Sequence, residues 1–149
     1  PATFPAQAGV HSPNNRPSAS IALCPQHRNF PTMLQPPARL ADLAALTPIR
    51  CPCGWARRAF ADLPDAPASL HLVEIEDDAR SHYHREHTEI YYILACGPEA
   101  ALELDGQLVP VQTGQAVLIP PGVRHRAATR MTILNVVVPP FDPADEWFD

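Results

Sequence analysis

The chain has 149 residues and 46% hydrophobic content, enough for one globular domain with a core and too little for two. A net charge of −5, with no basic stripe, argues against a nucleic-acid partner, which would need a basic surface facing the phosphates. All eleven basic residues are Arg, so Schiff-base and lysine general-base chemistry are excluded.

Residues 1–37 are rich in Pro, Ser, Ala and Asn and show no hydrophobic period. Such a composition buries too little apolar surface to offset the entropy of ordering, and it reads as a flexible or extended tail. Residues 38–149 are then the single domain. Arg39 to Leu46 carries a Leu/Ala pattern that predicts one short helical turn, used for packing and ended by Thr47-Pro48. Cys51 and Cys53 form a C-x-C pair that has no second pair to complete a zinc site. With Cys24 and Cys96 they are expected to be reduced structural thiols, the first two leading into a strand.

Short strands follow. They are predicted over Trp55 to Phe60, Ser69 to Glu76, the segment holding His82 and His84, Glu89 to Ala95, Ala100 to Leu104, Gln107 to Val111, Ala116 to Ile119, a stretch through His125, and Met131 to Val138. Asp105-Gly106 between two alternating runs is a hairpin turn, and Pro120-Pro121-Gly122 is a second reversal. Many short strands with almost no helix predict an all-β sandwich or barrel. No run of eighteen apolar residues is present and the N-terminus lacks a secretory layout, so a cytoplasmic chain with no membrane partner is expected.

The chemistry concentrates in Ser81-His82-Tyr83-His84-Arg85-Glu86-His87-Thr88-Glu89. In an extended segment His82 and His84 point the same way, about 7 Å apart along the chain. A polar turn over Arg85 to Thr88 returns Glu89 beside them as an anionic third ligand. His87 is an alternative ligand by parity, but it lies in the predicted turn. Downstream, Gly114, Pro120 and Gly122 bring His125 into a strand facing the same interior. Tyr91 and Ile93 share the face of Glu89 and should line a cavity, with Tyr91 as a hydrogen-bond or proton donor beside the metal, while Tyr92 and Leu94 point away into packing. His71 is left open between pocket and barrel surface. Arg57, Arg58, Arg124 and Arg126 are candidates for binding a substrate carboxylate or phosphate, with no sign of which faces inward.

These two segments resemble the signatures of the cupin superfamily: Gly, five residues, His-x-His, three or four residues, Glu, six residues, Gly; then Gly, five residues, Pro-x-Gly, two residues, His, three residues, Asn. The likeness covers roughly Cys51 to Val138. It implies a double-stranded β-helix, or jelly-roll cupin barrel, holding one divalent transition metal on His82, His84, Glu89 and His125. Glu76 or Asp77 stands where the first motif has its opening Gly, Cys96 where it has its closing Gly, with Gly97 one step later, and Thr129 where the second has Asn; none of these is a ligand position. The tail from Val138 to Asp149 is similar to the ends of small bacterial cupins of the mannose-6-phosphate-isomerase-like kind, which implies no substrate.

Three imidazoles and one carboxylate leave a divalent ion a net charge of about +1 and two adjacent open positions. Fe or Mn would suit oxygen chemistry, while Zn, Ni or Cu would suit polarisation of a carbonyl. The favoured expectation is a metal-dependent, dioxygenase-type oxidoreductase acting on a small oxygen-containing molecule. The alternatives are a redox-neutral isomerase or lyase on the same site, or a non-catalytic module that binds a metal or small ligand. Open sheet edges predict a homodimer, with Phe141 to Phe148 reaching across to the second copy.

Overall fold

The computed structural model describes residues 38–77 and 79–148; the expected tail and Cys24 lie outside the described residues. Nine strands follow one another: β1 (Ile49–Cys51), β2 (Gly54–Ala59), β3 (Ser69–Ile75), β4 (Thr88–Cys96), β5 (Ala101–Leu104), β6 (Gln107–Pro110), β7 (Ala116–Ile119), β8 (His125–Ala127) and β9 (Met131–Val138). They form two antiparallel sheets, six strands in the order β1-β2-β3-β9-β4-β7 and three in the order β6-β5-β8. The fold is therefore the jelly-roll class that the motifs imply.

Alternation sets the core. Val73 and Ile75 of β3, Tyr91 and Ile93 of β4, and Met131 and Ile133 of β9 are buried with Leu102 of the small sheet. Their intervening neighbours face outward, as a period of two requires. The β5–β6 hairpin turns at Asp105 and Gly106, with φ of 47° and 79°. Two successive positive φ values match the right-handed twist of the flanking strands, which is why Asp-Gly is favoured there. At Gly54 the reason for glycine is different: a Cβ would collide with the backbone oxygen of Glu74.

Four expectations need correction. The helical turn is shorter than expected, a 3-10 turn over Leu43–Ala45 capped by Asp42, and none of its residues is buried. His82 and His84 lie on an extended segment that is not a strand: its sheet pairing consists of single bridges, His82 to His125 and Tyr83 to Trp147. Ile49 to Cys51 forms an additional short strand that its mixed composition does not announce. Tyr92 and Leu94 do point away from the interior, but onto an open face, 44% and 40% exposed.

Candidate metal centre

The two halves of the site meet through their backbones. The His82 N–H donates to the His125 carbonyl at 3.1 Å, and the His125 N–H donates to the His82 carbonyl at 2.8 Å. This pair of bonds aligns the two histidines and extends the small sheet by one residue. The Gly122 N–H donates to the His84 carbonyl at 2.7 Å, so the Pro-x-Gly turn holds the second histidine as well. Glu89 enters from the large sheet, opposite Val137 and Ile119.

His82, His84, Glu89 and His125 are all buried, and one potential ligand atom from each lies within 4.8 Å of the others. Each histidine places Nδ1 against a backbone carbonyl: His82 on Arg80 at 3.1 Å, His84 on Asp145 at 2.7 Å and His125 on Val123 at 3.0 Å. A carbonyl can only accept, so Nδ1 carries the proton and the Nε2 lone pairs turn inward. Nε2 of His84 and of His125 has no hydrogen-bond partner among the described residues. They lie 3.6 Å and 2.8 Å from Glu89 Oε2. Adjacent ligand atoms on one transition-metal ion are about 3 Å apart, so this donor set fits such an ion.

Protonation agrees with that role. Burial pulls His82 down to about 4, with His125 adding to the effect. His84 is lowered by burial too. Burial alone would raise Glu89, but the approach of His125 Nε2 to 2.8 Å, the nearby His84 and the Asn135 hydrogen bond bring it down to about 2. His125 is the exception: burial would lower it, yet the Glu89 carboxylate 2.8 Å from its Nε2 raises it. At neutral pH the set therefore offers a carboxylate at Glu89 and neutral imidazoles at His82 and His84, and any proton on His125 must leave for it to ligate a metal.

Asn135 was not anticipated. Its Nδ2 donates to Glu89 Oε1 at 2.6 Å, which leaves Oε2 for the histidines. An amide at an inward position of β9, between Ile133 and Val137, was the signal available in the sequence. Tyr91 is buried as expected, and its hydroxyl points at Glu89 Oε2 from 3.5 Å. Burial raises its pKa well above the ordinary tyrosine value, so it stays a donor.

The segment after β9 does not leave the molecule but folds back over the site. The Asp145 carboxylate accepts from the backbone N–H groups of Arg85, Glu86 and His87 at 3.0, 2.9 and 3.0 Å. Tyr83 and Trp147 exchange backbone bonds, both 3.0 Å. Glu146 is thereby brought to 4.0 Å from His82 Nε2. A cavity of about 30 Å³ remains beneath, lined by His82, Glu89, Tyr91, Arg58, His71 and Glu146 among others. Glu146 was also missed, because a C-terminal run without period gives no hint of where it docks.

The remaining candidates sort by position. His87 is buried rather than solvated; its Nδ1 lies 3.1 Å from Asp145 Oδ2, and its Nε2 accepts from the Asp142 N–H at 3.2 Å. It is not one of the four converging residues, although with His84 and Asp145 it makes a second group that could hold an ion. His71 faces the interior, hydrogen-bonded to Ser69 Oγ at 3.0 Å, and burial pulls it down to about 4. Arg57 pairs with Glu74 and Arg126 with Glu103, Arg124 lies over the Tyr83 ring, and Arg58 lines the cavity. Cys51 and Cys53 touch at 2.8 Å and are free thiols, outside both metal-capable groups among the described residues.

Comparison with known proteins agrees with this architecture. The cupin domain family matches residues 70–137, which span three of the four converging side chains from the first motif and His125 from the second. A protein of known structure from Planctomyces limnophilus is 48% identical, covering 74% of this chain and 96% of that one, with a TM-score of 0.72. The chain belongs to the cupin superfamily. More distant likenesses show the fold alone. Pac13 from Streptomyces, a nucleoside dehydratase, is 15% identical with a TM-score of 0.61, covering 76% of this chain and 95% of that one. Ectoine synthase from P. lautus is 20% identical with a TM-score of 0.58, covering 72% and 82%. No curated protein matches the chain.

Proposed function

We propose that this cupin is a metal-dependent enzyme acting on a small oxygen-containing molecule, with His82, His84, Glu89 and His125 as the ligands. One observation carries the proposal: buried Nε2 atoms that lack hydrogen-bond partners converge on a carboxylate oxygen, while every Nδ1 is committed to a carbonyl. A divalent ion there, Fe or Mn by preference over Zn, Ni or Cu, supplies Lewis acidity or oxygen chemistry. The protein contributes orientation and dryness. Asn135 fixes the Glu89 carboxylate, the strap that follows β9 excludes water, and Tyr91 is placed to donate a hydrogen bond at a bound oxygen.

A dioxygenase-type oxidation is the first reading, since four protein ligands leave two positions for substrate and oxygen. Glu146 favours a second, a redox-neutral lyase or isomerase, because a carboxylate 4.0 Å from His82 Nε2 can take up and return a substrate proton. Pac13, a dehydratase on the same fold, is a precedent for that class. Oxygen uptake separates the readings: undiminished turnover under strict anaerobiosis rules out the dioxygenase. Cytoplasmic placement and a homodimer belong to the same proposal. Ile90, Tyr92, Leu94 and Leu118 leave an apolar stripe on the outer face of the large sheet, each more than a third exposed. A monomeric mass by light scattering at micromolar concentration would end the dimer.

A further inference from the structure

Arg58 differs from the arginines around it. Neighbouring Arg57 is neutralised by Glu74 at 2.8 Å, and Arg126 by Glu103 at 2.7 Å. Arg58 instead lines the cavity beneath the strap, its guanidinium carbon 4.0 Å from the centre of the Phe141 ring. No carboxylate among the described residues lies within ion-pair distance of it; its Nε, like that of Arg57, is buried without a hydrogen-bond partner, but Arg57 has Glu74 for its charge. Arg58 is half-buried, and a buried Nε–H left without an acceptor costs free energy that a ligand acceptor would recover.

Register explains how it arrives there. Arg58 opposes His71, His71 opposes Asn135, and Asn135 opposes Tyr91, so one rung across β2, β3, β9 and β4 carries four polar side chains. The cavity joins this rung to the histidine cluster. Charge points the same way: a divalent ion and Arg58, set against Glu89 and Glu146, leave at least one net positive charge around the cavity. A monoanion neutralises it. A planar guanidinium pairs best with a planar carboxylate, through two parallel N–H···O bonds.

We propose that Arg58 is the anion anchor of the substrate, and that the substrate is a small monocarboxylic acid bearing a second oxygen donor that faces the histidine cluster. This deepens the metal-enzyme reading and rests on it. Phe141 holds the guanidinium plane from the strap side, so recognition and closure share one contact.

The test is calorimetric titration of full-length protein, first with Mn(II) or Zn(II) and then, at full metal content, with glycolate, lactate and pyruvate. Lactamide serves as the neutral control and inorganic phosphate as the competing anion. Wild type is expected to bind at least one of these acids and to reject lactamide. Arg58→Gln should bind metal as wild type does, which also reports that it is folded, and should lose carboxylate affinity by about ten- to a hundredfold. Arg58→Lys, which keeps charge but not the planar fork, should fall between. Equal carboxylate binding by Arg58→Gln at full metal content overturns the anchor alone, and so do binding of none of the acids or a preference for phosphate. Absence of metal from wild type and variants alike overturns the metal reading instead.

Discussion

The two ends of the barrel use the same strands to opposite purposes. Toward the strap, the inward positions are Ser69 and His71 on β3, Glu89 and Tyr91 on β4, and Asn135 on β9, with Val137 the one apolar member; toward the far end the same faces continue as Val73 and Ile75, Ile93, and Ile133 and Met131. Alternation is unbroken along this change on β3 and β9, so the backbone gains nothing from the polar residues. Their burial costs desolvation, offset by hydrogen bonds among themselves and, we propose, by the metal. The apolar end holds the fold together, and the polar end is built for a ligand.

This division can be broken by mutation at either end. His125→Ala should lower metal affinity by more than about a hundredfold while the barrel still folds, checked by metal titration beside a thermal melt. At the other end, Ile133→Ala should cost about 2–5 kcal/mol of stability, yet leave the metal affinity of the folded fraction unchanged. If Ile133→Ala weakened metal binding and His125→Ala destroyed folding, the two ends would not be separable. Asn135→Ala sits between them: losing the 2.6 Å bond to Glu89 should weaken metal binding by roughly 10–100-fold.

Acid supplies a gentler perturbation. His71 and His82, each held at about 4 against an ordinary 6.5, bind protons more weakly folded than unfolded. Their contribution to metal-free stability is full above 6.5 and is lost as pH falls through 4. Glu89, at about 2 against 4.5, adds a loss from 4.5 downward. The raised value of His125 acts in the other direction, its contribution fading as pH rises above 6.5. His71→Gln should therefore flatten the limb between 6.5 and 4 by about one proton in the slope of stability against pH. An unchanged slope would mean that His71 titrates normally.

The smallest effect belongs to the strap. Asp145→Ala removes the acceptor of three backbone N–H groups at the turn bearing His87 and should cost about 1 kcal/mol, because solvent can replace part of what is lost. Hydrogen exchange at Arg85, Glu86 and His87 should quicken in that variant.

The sequence made the site's centre legible for a physical reason. Ligand spacing, the glycine and proline turns and the alternation of β9 are local properties, and the strand predicted over Met131 to Val138 appears with those bounds. His71 and Arg58 were visible as candidates, but the direction of a side chain near a strand end depends on register. β2 shows this: Arg57 and Arg58 are both half-buried, and simple alternation does not separate them. The strap was illegible altogether. Phe141 and Glu146 reach the cavity through contacts with residues about sixty to seventy positions earlier, each with a backbone group on at least one side, which no sequence pattern marks. The segment from Phe141 to Phe148, expected to reach across to a second copy, makes these contacts within its own chain.

The most direct measurement is elemental analysis of full-length protein purified without chelator or added metal, alongside His84→Ala and His125→Ala prepared in the same way. About one divalent transition-metal ion per chain is expected in wild type and almost none in either variant. Full metal content in both variants, or a wild type that neither carries nor takes up such an ion, would contradict it.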